Sequence, residues 1–209
     1  MGSTLSTQNT RSLLTNSNLK LTNSSIGLAN LSLNLLRNYV PALPPGVLGV
    51  LSKGDKVDFD SRVIELGLVL PKASNPQGSY TNIVKTGNLL FVSGKGPVAG
   101  LDEVPKGKIG KEYTVEEGYQ FARQTGLDIL AALKLELGSL NKISRVVKLQ
   151  GFVNATEDFE KHPKVLDGCS DLMAEVFGEQ GVHARSVFGA ASVRGNLPII
   201  IDSIFEVVE

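Results

Sequence analysis

The sequence predicts an α+β domain, a mixed β-sheet with two long helices on one face. Three observations carry that prediction: two apolar stripes step by three and four as helices do, β-branched runs lie between them, and the order is ββ, helix, β, helix, ββ. With 42% hydrophobic and 20% charged residues, a chain of 209 residues can bury one real core and still carry an appendage.

Each element has its own signal. Residues 62–70 (RVIELGLVL) read as the first strand, closed by Pro71. Residues 80–85 and 89–93 are short β-rich runs joined at Thr86, Gly87 and Asn88, a hairpin signature. The Gly, Pro and Lys content of residues 97–112 predicts a surface loop. Thr114 and Glu117 then form a capping box, in which the threonine hydroxyl bonds the third helical N–H and the glutamate reaches back. Behind it Tyr119, Ala122, Gly126, Ile129, Leu130, Leu133 and Leu137 share one helical face down to a stop at Gly138. Residues 143–153 read as a strand that sends Val146, Leu149, Phe152 and Val153 to the core. A second helix follows Pro163 with Leu166, Cys169, Leu172, Met173, Val176 and Phe177 on one face. Cys169 sits inside that stripe, so it reads as a small buried hydrophobe and not as a catalytic thiol. Residues 185–193 and 198–208 supply the last two strands.

The amino end is of another kind. Residues 1–54 contain no Asp or Glu, and Arg11, Lys20, Arg37 and Lys53 are their only basic residues. Through residue 52 there are 8 Ser, 5 Thr and 7 Asn among 13 Leu, a composition that does not promise a packed unit. We therefore divide the chain into an extension, 1–54, and a domain, 55–209. An acid-free, hydroxyl-rich start resembles a transit peptide, which predicts a mitochondrial or other organellar location; the alternative is a disordered extension of a cytoplasmic protein. Arg37 and the Pro44–Pro45 pair interrupt the apolar run that follows, so no transmembrane segment is expected. MGSTLS also fits the loose pattern for acylation of Gly2.

Several function classes are disfavoured outright. One cysteine permits neither an internal disulfide nor a cysteine-rich zinc site, and the two histidines, His162 and His183, fall in different elements, so no metal is expected. Neither a phosphate loop nor a G-x-G-x-x-G turn is present, and no cofactor is expected. Zero formal net charge argues against a nucleic-acid partner, whose affinity would rest on many phosphate contacts.

What remains is GVHARSVFGAASV, residues 181–193. In an extended strand His183 and Arg185 point to the same side. A guanidinium presents a rigid fork that matches a carboxylate, although an arginine at a strand start serves equally as a surface ion pair.

Two stretches, TGNLLFVSGKGPV at 86–98 and HARSVFGAASV at 183–193, resemble the Rid family, also called YjgF-like or L-PSP proteins. The likeness runs from about residue 63 to 209. GKIGKEYTVEEGYQFARQTGLDILAALK and KLQGFVNATEDF are similar to its chorismate-mutase-like branch. The resemblance implies a homotrimer with sheets packed into a barrel-like interior and ligand clefts between subunits. It also implies cofactor-free hydrolysis of enamines and imines to 2-oxoacids and ammonia. Carried over residue by residue, the family's carboxylate-gripping arginine is Arg185, its tyrosine after the first loop is Tyr80, and its Ser-Gly pair after the second strand is Ser93 and Gly94. Three positions depart: Val187 replaces a cysteine, Pro163 replaces an asparagine, and Ile200 replaces the acid associated with the attacking water. Asp202, two residues on, matches a second acidic position.

Two expectations follow. As an imine deaminase the protein would anchor a carboxylate-bearing imine on Arg185, with Tyr80 or His183 standing in for the lost acid. As a binder or sensor of small carboxylates it would keep the Arg185 clamp without the chemistry, a reading that Ile200 favours. Ribonuclease activity, implied by the L-PSP name, and chorismate mutase activity, a fold analogy, have less support.

Overall fold

The computed structural model describes residues 58–208. The extension, with its transit-peptide and acylation readings, lies outside the described residues.

The first described element corrects the sequence reading. Where residues 62–70 promised a strand, the chain forms a short helix, α1 (Phe59–Glu65). Asp58 caps it, accepting the Ser61 N–H at 3.1 Å, and Gly67, at φ +65°, turns the chain out of it. Phe59, Val63 and Leu66 are buried, a helical and not an alternating set. Phe59 seats edge-on against Phe177, ring centroids 4.9 Å apart. The run is apolar, and its period is helical and not alternating.

The hairpin follows as β1 (Ile83–Thr86) and β2 (Leu89–Lys95), then α2 (Val115–Leu137), β3 (Ile143–Asn154), α3 (His162–Phe177), β4 (Ala184–Ala190) and β5 (Ile199–Val207). The capping box at Thr114 and Glu117 forms as expected, and α2 ends on Gly138 at φ +77°. The strand order is β1-β2-β5-β3-β4. Only β3 and β4 run parallel; the other neighbours are antiparallel, so the sheet is mixed as predicted.

The long helices α2 and α3 cover one face of the sheet. They meet so closely that a Cβ on Gly168 would run into the Tyr119 carbonyl. Along β5 burial alternates: Ile199, Ile201, Ser203, Phe205 and Val207 face the helices. A fully buried Phe205 or Ile201 contributes roughly 1.5–3 kcal/mol each, which makes this strand the floor of the core. Cys169 lies in the core as well, its thiol pushed up to about 12 by burial, as the stripe implied.

Among the described residues the opposite face carries no helix. Phe91 pairs with Ile204, and Ile200 pairs with Phe152, which in turn pairs with Phe188. Val84, Phe91 and Phe188 are 54%, 42% and 53% exposed, so the described residues leave an apolar sheet face open. No helix among the described residues is long and apolar enough to cross a membrane.

Candidate functional site

The carboxylate-binding candidate is built where edge strand β4 runs under α3. Arg185 opposes Leu149 of β3 and lies on the helix-covered side. Its Nη1 donates to Asp167 Oδ1 at 2.7 Å and to Ser170 Oγ at 3.2 Å, both on α3. Nε and Nη2 have no hydrogen-bond partner among the described residues, and the side chain is 30% exposed. One corner of the guanidinium is therefore fixed while its other edge offers two parallel donors. That arrangement matches the planar fork a carboxylate accepts.

His183 joins the same cluster. Its Nδ1 lies 2.6 Å from the Gly181 carbonyl, at the end of a short 3-10 turn (Gly178–Gly181), and its Nε2 lies 3.2 Å from Ser170 Oγ. A carbonyl only accepts, so Nδ1 carries the proton. Burial of the ring, with Arg185 nearby, holds its pKa below the ordinary histidine value against the opposing pull of the Gly181 carbonyl. The ring is then neutral and Nε2 accepts the Ser170 hydroxyl proton. Ser170 and Asp167 were not legible beforehand, because two polar residues one turn apart on a helix look like any solvated face.

Tyr80, Ser93 and Gly94 lie elsewhere. Arg185, Leu149, Ser203 and Val92 form one cross-strand row, so the end of β2 stands three strands from β4, about 14 Å away at ordinary spacing. Gly94 faces the open side, where a Cβ would come 2.9 Å from Ile200 Cγ2. Ile200 thus covers the glycine at the position where the resemblance implies an acid. Ser93 donates its hydroxyl proton to the Thr81 carbonyl at 2.6 Å, leaving its oxygen free only to accept. Tyr80 is 50% exposed, its hydroxyl accepting the Gln77 N–H at 3.1 Å. Asp202, half-buried on the open face, has its carboxyl pushed up by burial, with Lys148 opposing.

Behind these residues sits a cation that the sequence reading passed over. Lys95 is 3% exposed and donates to Asn82 Oδ1 at 2.7 Å, Ser74 Oγ at 3.0 Å and the Ser74 carbonyl at 3.2 Å. Ser74 in turn gives its N–H and hydroxyl to the buried Asp128 of α2, at 2.9 and 2.6 Å. The network straps the loop that carries Tyr80 to α2. Among the described residues no three His, Cys, Asp or Glu side chains gather as a metal set.

Residues 60–204 match the model of the family described as "YjgF/chorismate mutase-like, putative endoribonuclease". The chain belongs to that family. It is 37% identical over 142 residues to "Protein TCP17" of Trypanosoma cruzi, which covers 68% of this chain and 89% of the relative. Atu1372 of Agrobacterium tumefaciens, a crystal structure of unknown function, is 38% identical with a TM-score of 0.66, over 72% of this chain and 92% of that one. A Shewanella oneidensis crystal structure described as a "putative endoribonuclease" is 33% identical with a TM-score of 0.69, over 72% and 100%. The YjgF-like fold predicted from the two motifs is thus established, and the reaction is left to the site.

Proposed function

We propose that this YjgF-family protein hydrolyses small carboxylate-bearing imines to 2-oxoacids and ammonia, with the substrate carboxylate held on Arg185. The observation that carries the reading is the half-used guanidinium: Asp167 and Ser170 fix Nη1, and the Nε and Nη2 edge is open. The carboxylate charge binds there, the adjacent C=N carbon is polarised by the same cation, and water adds to it. The carbinolamine then expels ammonia and leaves a 2-oxoacid, which needs no redox partner.

A working site also needs a second copy of the chain. Arg185 and His183 lie on the covered side at one sheet edge, while Gly94 faces the open side three strands away. No small ligand spans both in one chain. Packing of the apolar face bearing Phe91, Phe152, Phe188, Ile200 and Ile204 into a homotrimer would bury it and bring the Arg185 half of one copy towards the Tyr80 half of another. A stable monomer at micromolar concentration by light scattering would argue against this assembly.

A specific observation favours the second reading, a carboxylate carrier or sensor. Ile200 lies over Gly94 where the resemblance puts the water-placing acid. Ammonia release from freshly generated 2-aminoacrylate, with and without the protein, separates the two. Acceleration supports the hydrolase, and binding of a 2-oxoacid without acceleration supports the carrier. Ribonuclease activity fits less well, since the site offers one guanidinium already beside Asp167 in a chain of zero net charge.

A further inference from the structure

We propose that Ser170 and His183 form the proton relay of this site, taking over on the α3 side the acid–base work that Ile200 cannot do on the sheet side. The inference rests on the hydrolase reading above and extends it to two groups and a direction of proton flow.

Its basis is a chain of hydrogen bonds in which each proton has one place to go. Gly181 accepts from Nδ1, so Nε2 is a lone pair aimed at Ser170 Oγ. Arg185 Nη1–H donates to the same Oγ, so the serine proton points to the imidazole and not to the guanidinium. A hydroxyl bonded to a neutral base, whose far nitrogen is oriented by a third group, is the arrangement that activates a nucleophile or a water. Here the acceptor in the third position is a backbone carbonyl. The charged group beside the ring is Arg185, itself paired to Asp167 of α3, which lies 3.6 Å from Lys164 Nζ. Burial and Arg185 both favour the neutral ring, which is the form that takes up a proton.

The step balances. A water bound to Ser170 gives a proton to Oγ as Ser170 passes its own to Nε2, and the water oxygen bonds to the imine carbon. The C=N π electrons move to nitrogen, which is protonated from solvent, giving a carbinolamine. The imidazolium then returns its proton through Ser170 to that amine. The C–N bond breaks, ammonia leaves, and the carbonyl of the 2-oxoacid forms as the hydroxyl proton is lost to water. Ser170 touches the reacting water, and His183 acts through it as a positioning and proton-storing residue.

The test uses the full chain, 2-aminoacrylate generated in situ as substrate, and 2-oxobutanoate as a binding probe. His183→Gln keeps an acceptor for Ser170 but removes the titratable nitrogen. It should lower kcat on the order of 10²- to 10⁴-fold while KM and 2-oxobutanoate affinity change less than about threefold. Ser170→Ala removes the longer of the two contacts on Arg185 Nη1 and leaves the 2.7 Å one to Asp167, so it should lower kcat similarly with His183 intact and weaken 2-oxobutanoate binding by no more than about threefold. Loss of turnover in both variants with binding retained supports the relay. Wild-type kcat in either folded variant overturns it. A wild-type protein that binds 2-oxobutanoate without accelerating ammonia release also overturns the relay but leaves the Arg185 clamp standing. A wild-type protein that does neither removes the clamp and the relay together.

Discussion

Arg185 and Lys95 both lie in the stretches that carry the family likeness, and the fold uses the two cations in opposite ways. Lys95 is buried at the end of β2, with all three ammonium protons given to Ser74 and Asn82. Arg185 stands at a sheet edge with one nitrogen held by Asp167 and Ser170 and the other edge open. The ammonium is a compact charge whose desolvation must be offset on every side; the guanidinium fork can be gripped at one corner and still present a face. Burial pushes the Lys95 pKa below the usual lysine value, with Asp128 the main opposing charge. One cation thus maintains the shape of the Tyr80 loop, and the other is available to a ligand.

That contrast predicts a double dissociation, and its largest effect is on Lys95. Lys95→Met leaves Asp128 buried without its nearby cation and Asn82 Oδ1 without its lysine donor, while the Ser74 carbonyl keeps only the Asn82 amide at 2.8 Å. The cost should be about 3 kcal/mol or more, with the melting temperature lower by about 10 °C. Carboxylate affinity at the Arg185 end should hold in whatever fraction remains folded. Thermal melts with and without 2-oxobutanoate check both parts, and a Lys95→Met protein as stable as wild type would break the comparison.

Arg185→Ala should show the converse. Charge-assisted hydrogen bonds contribute roughly 1.5–3 kcal/mol, so 2-oxobutanoate affinity should fall about tenfold to a hundredfold. The melting temperature should scarcely move, because the Asp167 contact is partly exposed. Arg185→Lys keeps the charge but loses the paired planar donors, and should lie between. Calorimetric titration of a folded Arg185→Ala protein that still binds as wild type would remove the clamp.

What the sequence disclosed follows from how each signal is encoded. The capping box at Thr114 and Glu117, the Gly138 stop and the β-rich run of β5 are local, and each was legible. Residues 62–70 misled because RVIELGLVL alternates well enough for a strand; the deciding residue was Asp58, whose cap starts a helix three residues earlier than the run itself. Arg185 was visible through the motif and through its side of β4. Asp167 and Ser170, which orient it and His183, became visible only when α3 was laid across β4, since no sequence pattern records a contact between residues 13 to 18 apart in different elements. The separation of Gly94 from Arg185 was likewise hidden until the strand order was known.

The open side of the sheet gives a smaller effect that sharpens the contrast at its other end. Gly94→Ala puts a methyl 2.9 Å from Ile200 Cγ2, and the neighbour must yield. Crowding of this kind costs about 1–3 kcal/mol, so the variant should melt lower and recover in part with Ile200→Ala, which removes Cγ2. If Gly94→Ala melts as wild type, Ile200 is free to swing away and does not hold the place of an acid.

The smallest expected effect is a pH dependence at His183. Its folded pKa lies below the unfolded value of 6.5, because burial and the Arg185 charge disfavour the imidazolium, with the Gly181 carbonyl opposing them. Below 6.5 the unfolded chain therefore binds more protons at this site than the folded one, and stability rises with pH in that window. The contribution is fully present above 6.5 and is lost as pH falls from 6.5 towards the folded pKa. Asp58 acts further down, where its hydrogen bonds from Asn141 and Ser61 hold the carboxyl at about 2 and its stabilising effect fades only below the ordinary carboxylate range. The two windows do not overlap, and because burial also pushes the Asp202 carboxyl up, the histidine is read from the difference between wild type and His183→Gln in melting temperature between pH 7 and 5. Wild type should lose stability across that interval more steeply than His183→Gln, whose amide does not titrate. The Arg185→Ala background should soften the slope in the protein that retains His183, since it removes a cation that resists protonation of the ring. Equal slopes in wild type and His183→Gln would mean that the ring is already free to protonate in the folded state, and the neutral form on which the relay depends would lose its support.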